Sequence, residues 1–170
     1  MIEEHDHEYR CGIGTDIHAL AEGRPLMLGG MEIKYPAGLV GHSDGDVVIH
    51  AVIDALLGAA GMGDIGTLFP DTDPKYKGAD SKGLLLDVKE RLEEKRWLIV
   101  NIDITIHAEK PRLEPYKGQI KRCVSSLLGA DFNSVNVKAK TNEGFGAVGR
   151  CEAIECTAIA MLKRKYKRTL

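Results

Sequence analysis

Asp16-Ile17-His18 sets a carboxylate and an imidazole two residues apart. In an extended segment residues i and i+2 project to the same side, so both groups face one spot. Both are ligand types suited to zinc or a similar divalent ion; a surface Asp and His beside a turn is the alternative. The stretch Asp46-Val-Val-Ile-His50-Ala-Val-Ile-Asp54 carries its polar residues at i, i+4 and i+8, which form one stripe on a helix. That stripe reads either as the solvent edge of an amphipathic helix or as a covered Asp-His-Asp set. The second reading rests on its lack of Lys, Arg and Glu, and a covered set needs partners or a metal. If His50 met Asp16 and His18, they would make a three-ligand site with an open fourth position, as in catalytic ions.

Three further segments carry reactive groups. His42-Ser43-Asp44-Gly45-Asp46 precedes the helix, where backbone N–H groups and the helix dipole suit phosphate or carboxylate. Ser43 alone would serve as an N-cap there, and His42 is not needed for capping. Asp64 to Asp73 is acidic and turn-rich, with Pro and Asp in turn-forming roles. Lys138 to Arg150 couples hydroxyl, carboxylate and two kinds of cation to glycines that let backbone approach a ligand. It fits neither GxxxxGK[ST] nor a GxGxxG after a strand, so ATPase and dinucleotide folds are not supported.

These groups need a scaffold, and hydrophobic periodicity supplies one. Arg10–His18 reads as a strand running into a loop, and Leu26–Ile33 as a hairpin or bulge centred on Gly29-Gly30. A helix is predicted from about Asp46 to Ala60, with Ser43 and Asp46 resembling a capping box. Gly61–Asp80 is a long loop, functional or partly helical. Asp80–Arg96 is an amphipathic helix with Leu84, Leu85, Val88 and Leu92 on its apolar face. Leu98–His107 alternates, with Val100, Ile102, Ile104 and Ile106 on one side. Pro115–Leu128 is a helix ended by Gly129, Val135–Ala139 a strand, and Cys151–Leu162 a strand by its alternation. Strands and helices interleave without a regular βαβ beat. The prediction is a single α+β (mixed α/β) domain with one mixed sheet and helices mainly on one face.

The 170 residues suffice for one core. With 23 basic and 25 acidic residues the net charge is −2, which argues against generic capture of nucleic acid or anionic membrane. No apolar stretch is long enough for a transmembrane helix. Residues 1–9 read as a flexible acidic tail, unlike a targeting segment, in which His5 and His7 are not ligands; residues 10–170 read as the domain. Four cysteines without a CxxC pair imply reduced thiols and a cytoplasmic protein.

With those segments in view, the chain resembles the 2-C-methyl-D-erythritol 2,4-cyclodiphosphate synthase family of the non-mevalonate isoprenoid pathway. The resemblance rests on an ordered set: GIGTDIHAL, GLVGHSDGDVVIHAVIDALLGAAGMGDIGTLFPDTDPKYKGADS, VNIDITIHAEKPRL, and VKAKTNEGFGAVGR followed by CEAIECTAIAML. It covers roughly residues 10–162. It implies a homotrimer with active sites between subunits and a phosphorus–oxygen lyase activity. The substrate would be a CDP-methylerythritol whose 2-phosphate attacks the β-phosphate and expels CMP. Position by position, Asp16, His18 and His50 match the ligands of a zinc-type ion (zinc, manganese or cobalt), Asp16 and His18 also bordering substrate. His42 and Thr141 match the groups that orient the transferring phosphate, with Ser43 beside them. Asp64, Gly66, Phe69, Asp71 and Asp73 match the methylerythritol side. Ala108, Pro111, Arg112, Leu113, Lys140 and Thr141 match the CMP pocket. Glu143 matches the ligand of a second ion, magnesium or manganese, held mainly by phosphate oxygens.

The chain departs from that family in places. Lys140 stands where a second Thr is usual, and Asn142 lies between Thr141 and Glu143. The family's axial cavity, where isoprenoid diphosphates sit, is bordered by an aromatic and an Arg; Arg150 is present, but Ala147 replaces the aromatic. Two other functions remain open on the residues alone. A two-metal phosphohydrolase would use the same ligands to activate water, and a non-catalytic nucleotide-binding trimer would not need Asp16, His18 and His50 together.

Overall fold

The computed structural model describes residues 7–76 and 78–165. The first strand, β1 (His7–Glu22), is long because it serves two neighbours in turn. It starts within the expected tail: residues 7–9 pair with the last strand, so only residues 1–6, which lie outside the described range, remain of that expectation. The Leu26–Ile33 segment is a hairpin of β2 (Leu26–Leu28) and β3 (Met31–Ile33), turned through Gly29 and Gly30 at φ of 65° and 81°. Two adjacent positive φ values suit glycine and match the twist of a two-residue hairpin. Next come β4 (Ala37–Leu39) and α1 (Val47–Ala60). The long loop contains α2 (Ile65–Leu68) and a 3-10 turn at Pro74–Tyr76 before α3 (Ser81–Glu94). The rest runs β5 (Leu98–His107), α4 (Lys117–Leu128), β6 (Val135–Lys140), α5 (Gly146–Gly149) and β7 (Ala153–Lys165).

Five strands form one mixed sheet in the order β4-β1-β7-β5-β6, with β2 and β3 as a separate two-stranded ribbon. Among the described residues only β5 and β6 run parallel, and α4 is their crossover. Helix α1 lies across β1 and β7, while α3 packs on α1 and α4, which puts these helices on one face as predicted. Ile154, Cys156, Ala158 and Ala160 of β7 are fully buried beneath α1, so the strand reading of that segment holds. The β5 alternation slips at its start. A bulge between Ile99 and Asn101 leaves Val100 unpaired, and Ile99 rather than Val100 joins the core.

The seat of α1 is set by glycine. A Cβ at Gly12 would stand 2.1 Å from the Ala55 carbonyl oxygen, and one at Gly14 would stand 2.1 Å from that of Ala51. With no Cβ at either place, helix backbone rests directly on strand backbone. In α1 every residue but Asp54 and Gly58 is buried. Among the described residues no helix is long and apolar enough to cross a membrane, and all four cysteines are free thiols.

Candidate metal centre and the clefts

Asp16 and His18 follow Gly12 and Gly14 at every second position of β1, so all four project toward α1. Helix α1 presents His50 to the same point. Asp16 Oδ2 lies 2.8 Å from His50 Nδ1 and 2.9 Å from His18 Nε2, and the two ring nitrogens are 3.3 Å apart. A tetrahedron with bonds of ~2.0 Å has edges of about 3.3 Å; the three edges here, at or below that, bring one oxygen and two nitrogens close enough to surround a single metal ion. The outer nitrogens are committed elsewhere. His18 Nδ1–H donates to the Val40 carbonyl at 2.6 Å, and His50 Nε2–H faces the hydroxyls of Ser81 at 2.9 Å and Ser43 at 3.0 Å. Each ring therefore keeps its inner lone pair for a metal. Asp16, His18 and His50 form a candidate metal-binding triad.

The helix stripe divides into three roles. Asp46 is fully buried and is the N-cap, accepting from Val48 and Ile49 N–H at 3.1 and 3.0 Å, and from Gly29 and Gly30 N–H at 2.8 and 2.6 Å. The predicted capping role of Ser43 is thus corrected: its hydroxyl turns to His50 instead. His50 belongs to the triad. Asp54 accepts from Ile65 N–H at 2.7 Å and so holds the start of α2. Burial pushes the Asp54 carboxyl up, and the charges of Asp64 and Asp16 add to that.

Burial pushes the Asp16 carboxyl up, yet hydrogen bonds and charge from His18 and His50 outweigh it and hold it well below the usual carboxylate range. The hydrogen bond to Asp16 raises the His18 imidazole above its ordinary value of 6.5, against the pull of desolvation. In the metal-free protein the His18 contribution is fully present below 6.5 and is lost as pH rises through the raised folded value. The Asp16 contribution is present above 3.8 and is lost as pH falls through the lowered folded value. Chelator-treated protein should therefore exceed a His18→Gln variant in Tm most at about pH 5.5 and least near pH 8.5. Thermal melts across that range check this; a gap that widens with pH would contradict the assignment.

A cleft of about 350 Å³ opens in front of the triad, lined by Asp16, His18, His42, Ser43, His50 and Asp54 on one side. Ile65, Gly66, Phe69, Asp71, Tyr76 and Leu84 close the other. Two of the residues expected here do local work at the rim. Asp64 caps α2 through Thr67 N–H at 2.7 Å, and Asp73 accepts from Lys75 N–H at 2.9 Å. A second cleft of about 300 Å³ is lined by Ala108, Glu109, Arg112, Leu113, Glu114, Ala139, Lys140 and Thr141. Pro111 lies in the same loop, and Thr141 Oγ1–H donates to Glu143 Oε1 at 2.9 Å. Glu143 is held at a φ of 51°, a conformation uncommon for a residue with a Cβ. Arg150 stands apart, bound to Glu152 by two hydrogen bonds of 3.0 and 2.9 Å, and Phe145 is 78% exposed.

Sequence reasoning gave no individual role to four contributors. Asp44 and Ser81 stand behind His50, and Glu109 and His107 bind the backbone and side chain of Asn142 at 3.2 and 3.0 Å. None has a periodic or short-spacing signal, since each partner lies more than 30 residues away.

A family model described as the YgbB family matches residues 9–163. The chain belongs to that family. A Bordetella petrii relative named 2-C-methyl-D-erythritol 2,4-cyclodiphosphate synthase is 53% identical over 156 residues, 92% of this chain and 96% of its own. Membership of the YgbB family alongside such synthases makes the chain an enzyme of the lyase class. Among solved structures, the bifunctional IspDF from Campylobacter jejuni superposes with a TM-score of 0.90 at 42% identity; the match covers 94% of this chain and 43% of that one. A Plasmodium falciparum IspF structure in complex with CDP gives 0.81 at 35% identity, covering 93% and 97% of the two chains. The synthase resemblance read from the sequence is therefore correct.

Proposed function

We propose that the chain converts 4-diphosphocytidyl-2-C-methyl-D-erythritol 2-phosphate to 2-C-methyl-D-erythritol 2,4-cyclodiphosphate and CMP, in the cytoplasm. The observation that carries this reading is the Asp16-His18-His50 triad at the floor of a cleft shared with His42, Ser43, Gly66, Phe69 and Asp71. An oxygen of the 2-phosphate forms a bond to the β-phosphorus, the bond from that phosphorus to the bridging oxygen breaks, and CMP leaves with the bridging oxygen. No water is consumed.

The nucleophile is already an anion, so the protein's task is alignment and relief of repulsion rather than deprotonation. A zinc-type ion that Asp16, His18 and His50 would hold, and a magnesium-type ion that Glu143 would hold with substrate phosphates, supply Lewis-acid charge at the diphosphate. His42 at the rim of the first cleft and the Thr141 hydroxyl orient the transferring phosphate. Ser43, Gly66, Phe69, Asp71, and Asp64 and Asp73 behind them, bound the methylerythritol, while Ala108, Pro111, Arg112, Leu113 and Lys140 receive CMP. Incubation in oxygen-18 water, followed by phosphorus NMR and mass spectrometry, should give cyclodiphosphate and CMP with no label in either. Label in CMP or in a methylerythritol phosphate would favour the hydrolase.

The two clefts also support a shared site. Strand β6, which ends in the second cleft, lies three places from β1, or about 14 Å at ~4.8 Å per strand. The triad of one chain facing the nucleotide cleft of the next, in a closed three-fold ring, would bring them together. Mixed trimers of inactive His50→Ala and Thr141→Ala chains should then regain part of their activity. No recovery in mixed trimers verified by mass would mean that each chain builds its site alone. An isoprenoid diphosphate on the axis of such a ring would meet Arg150 already engaged by Glu152.

A further inference from the structure

The two imidazoles of the triad are backed in different ways. Behind His18 stands a neutral peptide carbonyl, that of Val40. Behind His50 stands the Ser81 hydroxyl, which donates in turn to the Asp44 carboxylate. We propose that Asp44 and Ser81 are positioning residues for the metal centre: the Asp44–Ser81–His50 chain fixes which nitrogen of His50 faces the ion and makes that imidazole the stronger ligand. The proposal rests on the reading that an ion sits on Asp16, His18 and His50.

Ser81 is fully buried and is the first residue of α3, so its place does not depend on solvent. Both of its donors go to one carboxylate: the hydroxyl to Asp44 Oδ1, and the backbone N–H to Asp44 Oδ2 at 3.2 Å. The Asp46 N–H reaches Asp44 Oδ1 at 3.2 Å, and the Asp44 N–H donates to the Ala79 carbonyl at 3.2 Å. With its donors spent on Asp44, the Ser81 hydroxyl has only acceptor capacity left for His50. That dictates a proton on His50 Nε2 and a lone pair on Nδ1, the atom facing Asp16 and His18. When an imidazole gives its lone pair to a cation it gains positive charge, and a carboxylate one hydroxyl away stabilises that charge. Ser43 also reaches His50 Nε2, at 3.0 Å, but among the described residues its hydroxyl otherwise meets Gly45 N–H and Ser81 Oγ and bonds no carboxylate directly. The chain also ties the returning end of the 61–80 loop, whose Gly66, Phe69 and Asp71 line the cleft, to a metal ligand.

The test uses chelator-stripped full-length protein titrated with Co²⁺ and with Zn²⁺. Asp44→Asn and Ser81→Ala should each bind about 10- to 100-fold more weakly than the parent. Ser81→Thr, which keeps the hydroxyl, should recover most of that loss, and Ser43→Ala should lose less than Ser81→Ala. Because Asp44 also clasps backbone amides, a second readout separates the relay from looser folding. In the Co²⁺-loaded protein the ring N–H protons of His18 and His50 give separate, paramagnetically shifted signals. Asp44→Asn should move and speed the exchange of the His50 proton while leaving that of His18 in place. Parent-like affinity in both variants, a larger loss in Ser43→Ala, or equal movement of both protons would overturn the relay. So would a His50 ring proton exchanging too fast to observe in the parent, a measurement that needs no variant. If the parent itself binds no Co²⁺ or Zn²⁺, the metal-centre reading fails, and the relay falls with it.

Discussion

His50→Ala is expected to lose about one metal ion per chain and to lower turnover on the order of a thousandfold. In the proposed reaction the ion would supply several kcal/mol of charge stabilisation at the diphosphate, and each 1.36 kcal/mol is a factor of ten in rate. Asp16 and His18, two ligands from one face of β1, cannot close a tetrahedral site on their own. The fold should survive, because the lost side chain leaves hydroxyls of Ser43 and Ser81 that still bond one another at 3.4 Å. A destabilisation of about 2 kcal/mol is the expected size for removing a buried hydrogen-bonding group. Metal content by elemental analysis, melting temperature and turnover together decide it. Full metal occupancy in the variant would remove His50 from the ligand set.

Gly14→Ala, far less conspicuous as a substitution, should be nearly as damaging. The added Cβ would stand 2.1 Å from the Ala51 carbonyl oxygen, 2.6 Å from the Ala55 nitrogen and 2.8 Å from Asp54 Cβ. Two of these are helix backbone, so no rotamer change relieves them, and α1 must lift by about 1 Å to restore van der Waals distance. Overpacking on that scale costs about 3 kcal/mol, or roughly 10 °C in Tm for a chain of this size. The same lift carries His50, one residue before Ala51, away from Asp16. A misplacement near 1 Å costs on the order of a hundredfold in metal-dependent activity. The variant should therefore lose metal affinity even where it remains folded. A Tm and an affinity equal to the parent's would show that α1 does not rest on β1 at this point.

Much of the scaffold was legible because the relevant signals are periodic. The alternation of Ile102, Ile104 and Ile106 on β5, and of Ile154, Cys156 and Ala158 on β7, marks a core-facing side directly. Where the period breaks, reading failed: the bulge moved Val100 out of register, a choice made by pairing with β7 that no local pattern encodes. Capping was misassigned for a related reason. Ser43 and Asp46 are both good N-cap residues, and what settles between them is the hairpin turn at Gly29-Gly30 lending two further N–H groups to Asp46. The triad itself was foreseeable, since i, i+2 on a strand and an interrupted apolar helix are both short-range patterns. Its supporting Asp44–Ser81 pair was not, because 37 residues separate the two and only the folded loop brings them together.

The parallel pairing of β5 and β6 carries a consequence for how this enzyme tolerates change. Strands that run side by side in the same direction release their chains at the same edge, and here the ladder is prolonged by the Ala108 N–H donating to the Lys140 carbonyl at 2.9 Å. Part of the wall of the second cleft is thus fixed by a main-chain hydrogen bond that does not depend on the side chains at positions 108 and 140. The lysine at position 140 contributes its carbonyl to that bond, as any residue there would. In the first cleft Asp16, His18, Ser43 and His50 each bond one another or a fixed neighbour, so a change at any of them disturbs the next. Substitution at position 140 is therefore expected to disturb its cleft less than substitution at any member of the triad disturbs the other.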